Sequence, residues 1–149
     1  MDIDKELIFL DKEFNDKDDL FDFMAEVLLE KDYVKLEYKE KIKEREKQFP
    51  TGLKLKSINV AIPHADPRFT KASKLIVVRV KNKVIFKNAE DDSDLPIDII
   101  LGLTFKDSEK HIEDLMKIAE FLRNDEILEV INTTDDIEFI YNTLRDNLS

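Results

Sequence analysis

The stretch IDIILGLTF, residues 97 to 105, carries the strongest indication of the fold. Its apolar residues follow one another almost without polar interruption, which is typical of a strand in a sheet that is covered on both faces. Asp107 and Ser108, directly after it, are good helix N-caps. They predict an amphipathic helix that continues to about Arg123. Its apolar positions are Ile112, Leu115, Met116, Ala119 and Leu122.

Further strands are predicted upstream of this stretch. Residues 59 to 62 form a short β-rich run, and Pro63 requires the residue before it to be extended. The runs Leu75 to Val80 and Val84 to Phe86 flank the polar tripeptide 81 to 83 and predict a hairpin.

Helical periodicity marks both ends of the chain. The acidic residues 16 to 19 suit the start of a first helix, whose apolar face is Leu20, Phe23, Met24, Val27 and Leu28. A second helix ends at Pro50-Thr51-Gly52, and its predicted stripe is Val34, Tyr38, Ile42, Arg45 and Phe49. After residue 124 the pattern predicts two more helices, a short one with Ile127, Leu128 and Ile131, and a last one with Ile137, Ile140, Tyr141, Leu144 and Leu148.

The order of these elements predicts an α/β fold (α+β by some schemes). We expect one domain over residues 1–149, a sandwich in which a mixed sheet of about four to five strands is flanked by helices on both faces. The 149 residues are 42% hydrophobic, so the chain can bury a core of its own.

Composition and missing motifs exclude several functions. A net charge of −10 disfavours binding to nucleic acid or to an anionic membrane. The chain has no Cys, no HExxH, no GxSxG and no glycine-rich phosphate loop, so thiol chemistry, zinc binding, the usual hydrolases and nucleotide binding are disfavoured. Met1 to Asp4 lack a secretory signal and no apolar run could cross a bilayer, so we expect a cytoplasmic protein without membrane insertion.

The first of the two histidines, His64, lies between Pro63 and Pro67 at the carboxyl end of a predicted buried strand. Neutral imidazole has a free lone pair near pH 7, so His64 could accept a group covalently. From spacing alone, a loop histidine that bonds the backbone is the commoner interpretation.

The second histidine, His111, is predicted one turn into the helix after Asp107, half-buried at the edge of the core-facing stripe. The helix N-terminus favours a neutral ring there and attracts anions, so His111 could donate a hydrogen bond to a phosphoryl oxygen. A boundary histidine satisfied by its own helix is equally compatible with the sequence.

Arg45 interrupts the apolar stripe of the second helix. Its guanidinium can hold two phosphoryl oxygens at once. The alternative is an arginine whose head reaches water or pairs with Glu44 or Glu46. Phosphorylation of His64 would add a charge of roughly −2 to an already acidic chain, and this favours a cationic side chain that faces the ring.

Two segments, REKQFPTGL at 45–53 and INVAIPHADP at 58–67, resemble the enzyme IIA domains of the bacterial sugar phosphotransferase system, of the mannitol/fructose type. The phrase with Pro63-His64 is most similar to the galactitol branch. The resemblance implies a mixed sheet between helices. It also implies a phosphotransferase that needs no cofactor or metal beyond a covalent phosphohistidine intermediate.

The resemblance also implies residue roles and partners. His64 would take a phosphoryl group on Nε2 from the phosphocarrier HPr and pass it to a cysteine of a IIB component, which serves a membrane-embedded IIC. Arg45 and His111 would stabilise the transferred group. We expect His64 to lie exposed on a rim, with Thr51-Gly52 and residues 65–69 lining a shallow docking face.

Two other functions remain open from the sequence. One is a regulatory IIA-like module whose phosphorylation state controls another protein. The other is an interaction module without covalent chemistry, which would take up no phosphate.

Overall fold

The computed structural model describes residues 1–149 and contains a five-stranded mixed sheet in the order β1-β4-β5-β3-β2. The strands are β1 (Asp2–Lys12), β2 (Gly52–Lys54), β3 (Asn59–Ala61), β4 (Lys74–Lys87) and β5 (Asp94–Leu103). The helices are α1 (Lys17–Glu30), α2 (Tyr38–Gln48), α3 (Ser108–Phe121), α4 (Asp125–Thr133) and α5 (Ile137–Leu148), with a 3-10 turn at Pro67–Phe69.

Helices cover both faces of the sheet, as the sequence predicts. Side chains of β4 alternate between two cores: Ile76 and Val78 face α1 and α2, whereas Leu75 and Val77 face α3, α4 and α5. The α/β fold with a mixed, doubly covered sheet is therefore confirmed. None of the helices is long and apolar enough to span a membrane.

The predicted hairpin around Lys81-Asn82-Lys83 is wrong. These residues are exposed within the single strand β4, which runs antiparallel to β5 with a shift in register between Arg79 and Val84. The turn lies instead at residues 88–93, where Asp92 adopts a positive φ of 62° and its N–H bonds the carbonyl of Asn88. None of residues 81–83 has a positive φ, which a tight hairpin of the usual primed type requires.

Two strands escape sequence analysis. The edge strand β1 pairs with β4 in parallel, and most of its residues are charged or partly exposed, so it lacks the apolar alternation of a covered strand. The short strand β2 follows the loop after α2 and pairs antiparallel with β3.

Two predicted apolar stripes need correction. Val34 precedes α2 and Phe49 follows it with 60% of its surface exposed, while the buried face of α2 consists of Tyr38, Ile42 and Glu46. In α3 the buried residues are Asp114, Ile118 and Phe121, whereas Ile112 and Met116 are exposed. Relative to the prediction, the core-facing stripe of α3 is rotated: it passes through Ile118 and not through Met116 or Ala119.

Parallel pairing determines where the functional site forms. Strands β3 and β5 are parallel, so their carboxyl ends lie at the same edge of the sheet. His64 follows β3 there and bridges to Leu103, and Pro63 accepts a hydrogen bond from the Leu103 N–H. Since β2 runs antiparallel to β3, the end of α2 reaches the same edge.

Candidate active site

Three polar side chains from different elements meet at this edge. His64 comes from the loop after β3, His111 from the first turns of α3, and Arg45 from the last turn of α2. The two imidazole rings lie edge to face with their centroids 5.3 Å apart. Arg45 is close enough for its charge to lower the pKa of both rings.

The His64 ring is held by one nitrogen and free at the other. Nδ1 lies 2.9 Å from the carbonyl oxygen of Ile62, and a carbonyl can only accept, so Nδ1 carries the proton. Nε2 has no hydrogen-bond partner in the protein, yet it is not among the polar atoms sealed from solvent. The backbone bond expected of a loop histidine is therefore present, and it leaves the Nε2 lone pair available.

His64 is much less exposed than the sequence analysis expects. Only 8% of its surface is accessible: its ring packs edge to face on Phe105, with centroids 5.7 Å apart, and the adjacent residues Pro63 and Ala65 are buried as well. Burial, with the charges of Arg45 and His111, lowers its pKa to about 4 against the opposing hydrogen bond to Ile62. The ring is consequently neutral at pH 7.

His111 is half-buried, as predicted, but its helix does not satisfy it. Its ring stacks on Phe105 with centroids 4.4 Å apart, and Nε2 is buried without a hydrogen-bond partner in the protein. Burial and the charge of Arg45 lower the pKa of His111, while Asp66 opposes them. A neutral His111 that is protonated at Nε2 can therefore donate a hydrogen bond for which the protein supplies no acceptor.

Arg45 is half-buried and makes no ion pair. Glu44 pairs with Lys41, and Glu46 is bonded to Thr51, so the alternative in which Arg45 pairs with a neighbouring glutamate does not hold. Its guanidinium lies over the Phe49 ring at 5.3 Å, and Nε is buried without a partner. Beside it is a concavity of about 210 Å³, which Lys41, Asp66 and Arg68 also line.

The expected docking face is also different. Thr51, Gly52 and Ala65 are buried, so they do not line a surface, although Arg68 is exposed and Phe69 half-exposed. Large exposed apolar side chains are found instead at Phe49, directly after α2, and at Ile112 and Met116 of α3, at 60%, 66% and 69%. We call these three residues the apolar rim.

Sequence analysis missed two residues at the site. Phe105 contacts both imidazoles, and its position directly after a covered strand could have indicated this. Glu46 is 3% exposed beside Arg45. It lies four residues after Ile42 on the buried face of α2, but its charged side chain hides it from a search for apolar periodicity.

Comparison with known proteins gives a consistent result. The family described as "Phosphoenolpyruvate-dependent sugar phosphotransferase system, EIIA 2" matches residues 1–147. The galactitol-specific EIIA component of Escherichia coli (strain K12) is 26% identical over 125 residues, which cover 84% of this chain and 83% of that protein.

Two solved structures share the fold. IIA mannitol from Escherichia coli superposes with a TM-score of 0.80 at 23% identity, over 97% of this chain and 99% of that one. A complex of enzyme IIA and phosphorylated enzyme IIB of the mannitol system of Escherichia coli matches with a TM-score of 0.79 at 23% identity, over 95% of each chain.

Proposed function

Because the chain belongs to the EIIA 2 family of the phosphoenolpyruvate-dependent sugar phosphotransferase system, we propose that it carries the phosphoryl group on Nε2 of His64. The observation that carries the proposal is the free Nε2 of a neutral ring whose Nδ1 is occupied by Ile62. As an EIIA component the protein is a phosphotransferase and a phosphoryl carrier in sugar transport.

The first step moves a phosphoryl group from a protein donor to His64. The Nε2 lone pair forms the new bond to phosphorus while the donor's phosphorus–nitrogen bond breaks, and its electron pair stays on the donor nitrogen. Because Nδ1 keeps its proton, the phosphorylated ring is cationic, and the Ile62 carbonyl stabilises that charge. A ring protonated at Nδ1 is also the better leaving group for the next transfer.

Arg45 and His111 supply the electrostatic part of catalysis. Phosphoryl transfer passes through a loose transition state in which charge spreads over the oxygens, so positioned donors provide most of the rate. Arg45 Nε and His111 Nε2 are two buried donors without partners, and we assign them to phosphoryl oxygens. Phe105 holds the His111 ring from one side.

We propose HPr as the donor and a IIB cysteine as the acceptor, in the cytoplasm, with a membrane-embedded IIC downstream. The fold-level match to a IIA–IIB complex supports the IIB partner. The apolar rim offers exposed apolar area that either partner could bury, and the core of a protein interface is enriched in aromatic residues and Met. The galactitol-specific relative supports a polyol system as the route served. These matches to sugar transport components do not favour the regulatory alternative.

Phosphorylation in a reconstituted system tests the proposal. The protein is incubated with phosphoenolpyruvate, enzyme I and HPr, and uptake of one phosphoryl group is followed by intact mass. We expect His64→Ala to take up none, since the only other histidine is His111. Acid-labile phosphate on the His64 variant would overturn the assignment, and no phosphate on the wild type would indicate a plain interaction module.

The supporting residues have their own test. We expect Arg45→Ala and His111→Ala to fold normally and to slow transfer by about 100-fold or more, as removal of one oxyanion donor does in other enzymes. Arg123→Gln is the matched control because Arg123 is exposed and pairs only with Glu120. Transfer from the phosphorylated protein to IIB of a galactitol system, and its absence with other IIB proteins, checks the acceptor.

A further inference from the structure

Glu46 is a buried carboxyl group one residue from Arg45, with a single partner. Both of its oxygens accept hydrogen bonds from Thr51, whose N–H lies 3.1 Å from each and whose Oγ1 lies 2.5 and 3.0 Å away. Charged groups act on it from two elements, Lys17 of α1 and Arg45 of α2. Burial raises its pKa to about 7 despite the Thr51 bonds and these two cations.

Core packing alone does not explain such a residue. An apolar side chain at an interior position avoids the desolvation cost of a carboxyl group, and replacing buried charges by apolar residues is often neutral or stabilising. Tyr38 and Ile42 occupy the two preceding turns of the same buried face. What Glu46 provides and an apolar residue cannot is an acceptor for Thr51.

Hydrogen bonds lead from Thr51 to the His64 ring in two steps. The Thr51 carbonyl accepts from the Ile62 N–H at 3.3 Å, which extends the ladder of β2 and β3 by one pair beyond Gly52 and Ala61. The Ile62 carbonyl then accepts from Nδ1 of His64 at 2.9 Å. Both backbone groups of Ile62 are thus hydrogen-bonded. Its N–H donates to Thr51, which Glu46 holds, and its carbonyl accepts from the imidazole of His64.

We propose that Glu46 and Thr51 are positioning residues for phosphoryl transfer, which hold the Ile62 carbonyl against Nδ1 of His64 and so keep the proton off Nε2. The inference rests on the proposed role of His64. Neither residue touches the phosphoryl group. Glu46 also fixes the last turn of α2, on which Arg45 lies, and the Phe49 N–H closes that turn on the Arg45 carbonyl at 2.7 Å.

The tautomer of His64 is the property that this arrangement controls. A neutral imidazole without a bonded nitrogen is not restricted to one tautomer, because the hydrogen bond of one nitrogen determines which nitrogen is protonated. If the Ile62 carbonyl moves away, the proton is free to move to Nε2 and the nucleophilic lone pair is lost. Outer partners that orient metal-binding histidines typically contribute about 10- to 100-fold to affinity or activity, and we expect a loss of similar size here.

Two pairs of variants separate the effect of losing the Thr51 donor or the Glu46 acceptor from the effect of changing side-chain volume. Thr51→Val removes the hydroxyl and keeps the shape, and Thr51→Ser restores the hydroxyl. Glu46→Leu removes the acceptor, and Glu46→Gln retains an acceptor oxygen without the charge. Nitrogen-15 spectra of the imidazole at about pH 8, where the ring is neutral, report the His64 tautomer. The spectrum of His111→Gln contains only the His64 signals and so distinguishes the two rings.

We expect Thr51→Val and Glu46→Leu to populate the tautomer protonated at Nε2 and to lower the rate of phosphorylation by phospho-HPr about 10- to 100-fold, with the KM for phospho-HPr unchanged. Thr51→Ser and Glu46→Gln should restore both tautomer and rate. If Thr51→Val and Glu46→Leu lower the unfolding midpoint but keep the wild-type tautomer and rate, the two residues are structural only and the inference is overturned. If Glu46→Leu does not fold, Thr51→Val against Thr51→Ser decides alone.

The spectroscopic measurement stands apart from the proposed function. If His64 is not the phosphorylated residue, His64→Ala will still be labelled, whatever the tautomer does. If the tautomer of Thr51→Val is unchanged while His64→Ala loses all labelling, the role of His64 holds and the positioning role of Glu46 and Thr51 fails.

Discussion

Replacing His64 by Asn should change how the stability of the protein depends on pH. Asn retains an N–H where the His64 Nδ1–H points to Ile62, but it cannot take up a proton. In the wild type the pKa of His64 is about 4 in the folded state, against 6.5 for an exposed histidine. Its contribution to stability is therefore complete above pH 6.5 and is lost as the pH falls toward 4.

The magnitude follows from that difference. One proton taken up by the unfolded state alone changes the free energy of unfolding by about 1.4 kcal/mol per pH unit. Between pH 6.5 and about 4 the wild type should lose about 3 kcal/mol through His64. Burial and Arg45 lower the pKa of His111 too, so His111 adds a loss of the same sign.

Glu46 acts in the opposite direction over nearly the same range. Its pKa is about 7 when folded and 4.5 when exposed, so the folded state binds the proton first and stability rises as the pH falls from 7 to 4.5. In the wild type the two residues largely cancel between pH 4.5 and 6.5. Removing either one should expose the slope of the other.

Urea unfolding followed by circular dichroism at several pH values between 4.5 and 7 measures these slopes. We expect His64→Asn to gain stability relative to the wild type as the pH falls, and Glu46→Gln to lose it, by about 3 kcal/mol each across the range. Working above pH 4.5 avoids the low-pKa carboxylates Asp22 and Asp66. A difference between His64→Asn and the wild type that does not vary with pH would refute the view that the ring is buried and neutral.

Three further substitutions test other parts of the structure. Met116→Gln should raise the KM for phospho-HPr severalfold in steady-state transfer assays, because Met116 is 69% exposed on the apolar rim. It should change the free energy of unfolding by no more than about 0.5 kcal/mol; an unchanged KM would remove this residue from the docking surface. Gly52→Ala should destabilise the protein by about 1–3 kcal/mol in thermal unfolding, since a Cβ there would lie 2.5 Å from the carbonyl oxygen of Lys87; a wild-type melting temperature would contradict the close approach. Arg79 donates hydrogen bonds to the backbone carbonyls of Ile131 and Thr134. Arg79→Met should therefore lower the free energy of unfolding in urea by about 1–3 kcal/mol for each carbonyl that loses its donor; a neutral result would mean that water replaces the guanidinium.

Local sequence patterns predicted the helices well. Asp16, Asp107, Asn124 and Asp136 each accept a hydrogen bond from a backbone N–H in the first turn of their helix, so the starts of α1, α3, α4 and α5 are encoded locally. The three residues singled out for chemistry also meet in space. The parallel pairing of β3 and β5 brings the residues after both strands, and with them His64 and His111, to one edge. The antiparallel pairing of β2 with β3 brings the end of α2, and with it Arg45, to the same edge.

The errors arise where partners distant in sequence decide the structure. The polar residues 81–83 interrupt an apolar run and imitate a turn, but β5 pairs with β4 on both sides of them. The strand β1 is recognisable only from its pairing with β4, because a charged edge strand lacks the alternation that marks a half-buried one. Burial of Glu46 depends on Thr51, and no helical periodicity predicts a carboxyl group on a core-facing stripe.

The unexpected burial of His64 is consistent with its proposed chemistry. An exposed imidazole would be partly protonated near neutral pH, and a protonated ring has no lone pair. At this site burial keeps the ring neutral, while the free Nε2 retains access to solvent. Arg45 Nε and His111 Nε2 have no acceptor in the protein, and hydrogen bonds to charged groups contribute about 1.5–3 kcal/mol each. Phosphoryl oxygens would accept from both donors, so the arrangement of the two side chains would favour the phosphorylated state.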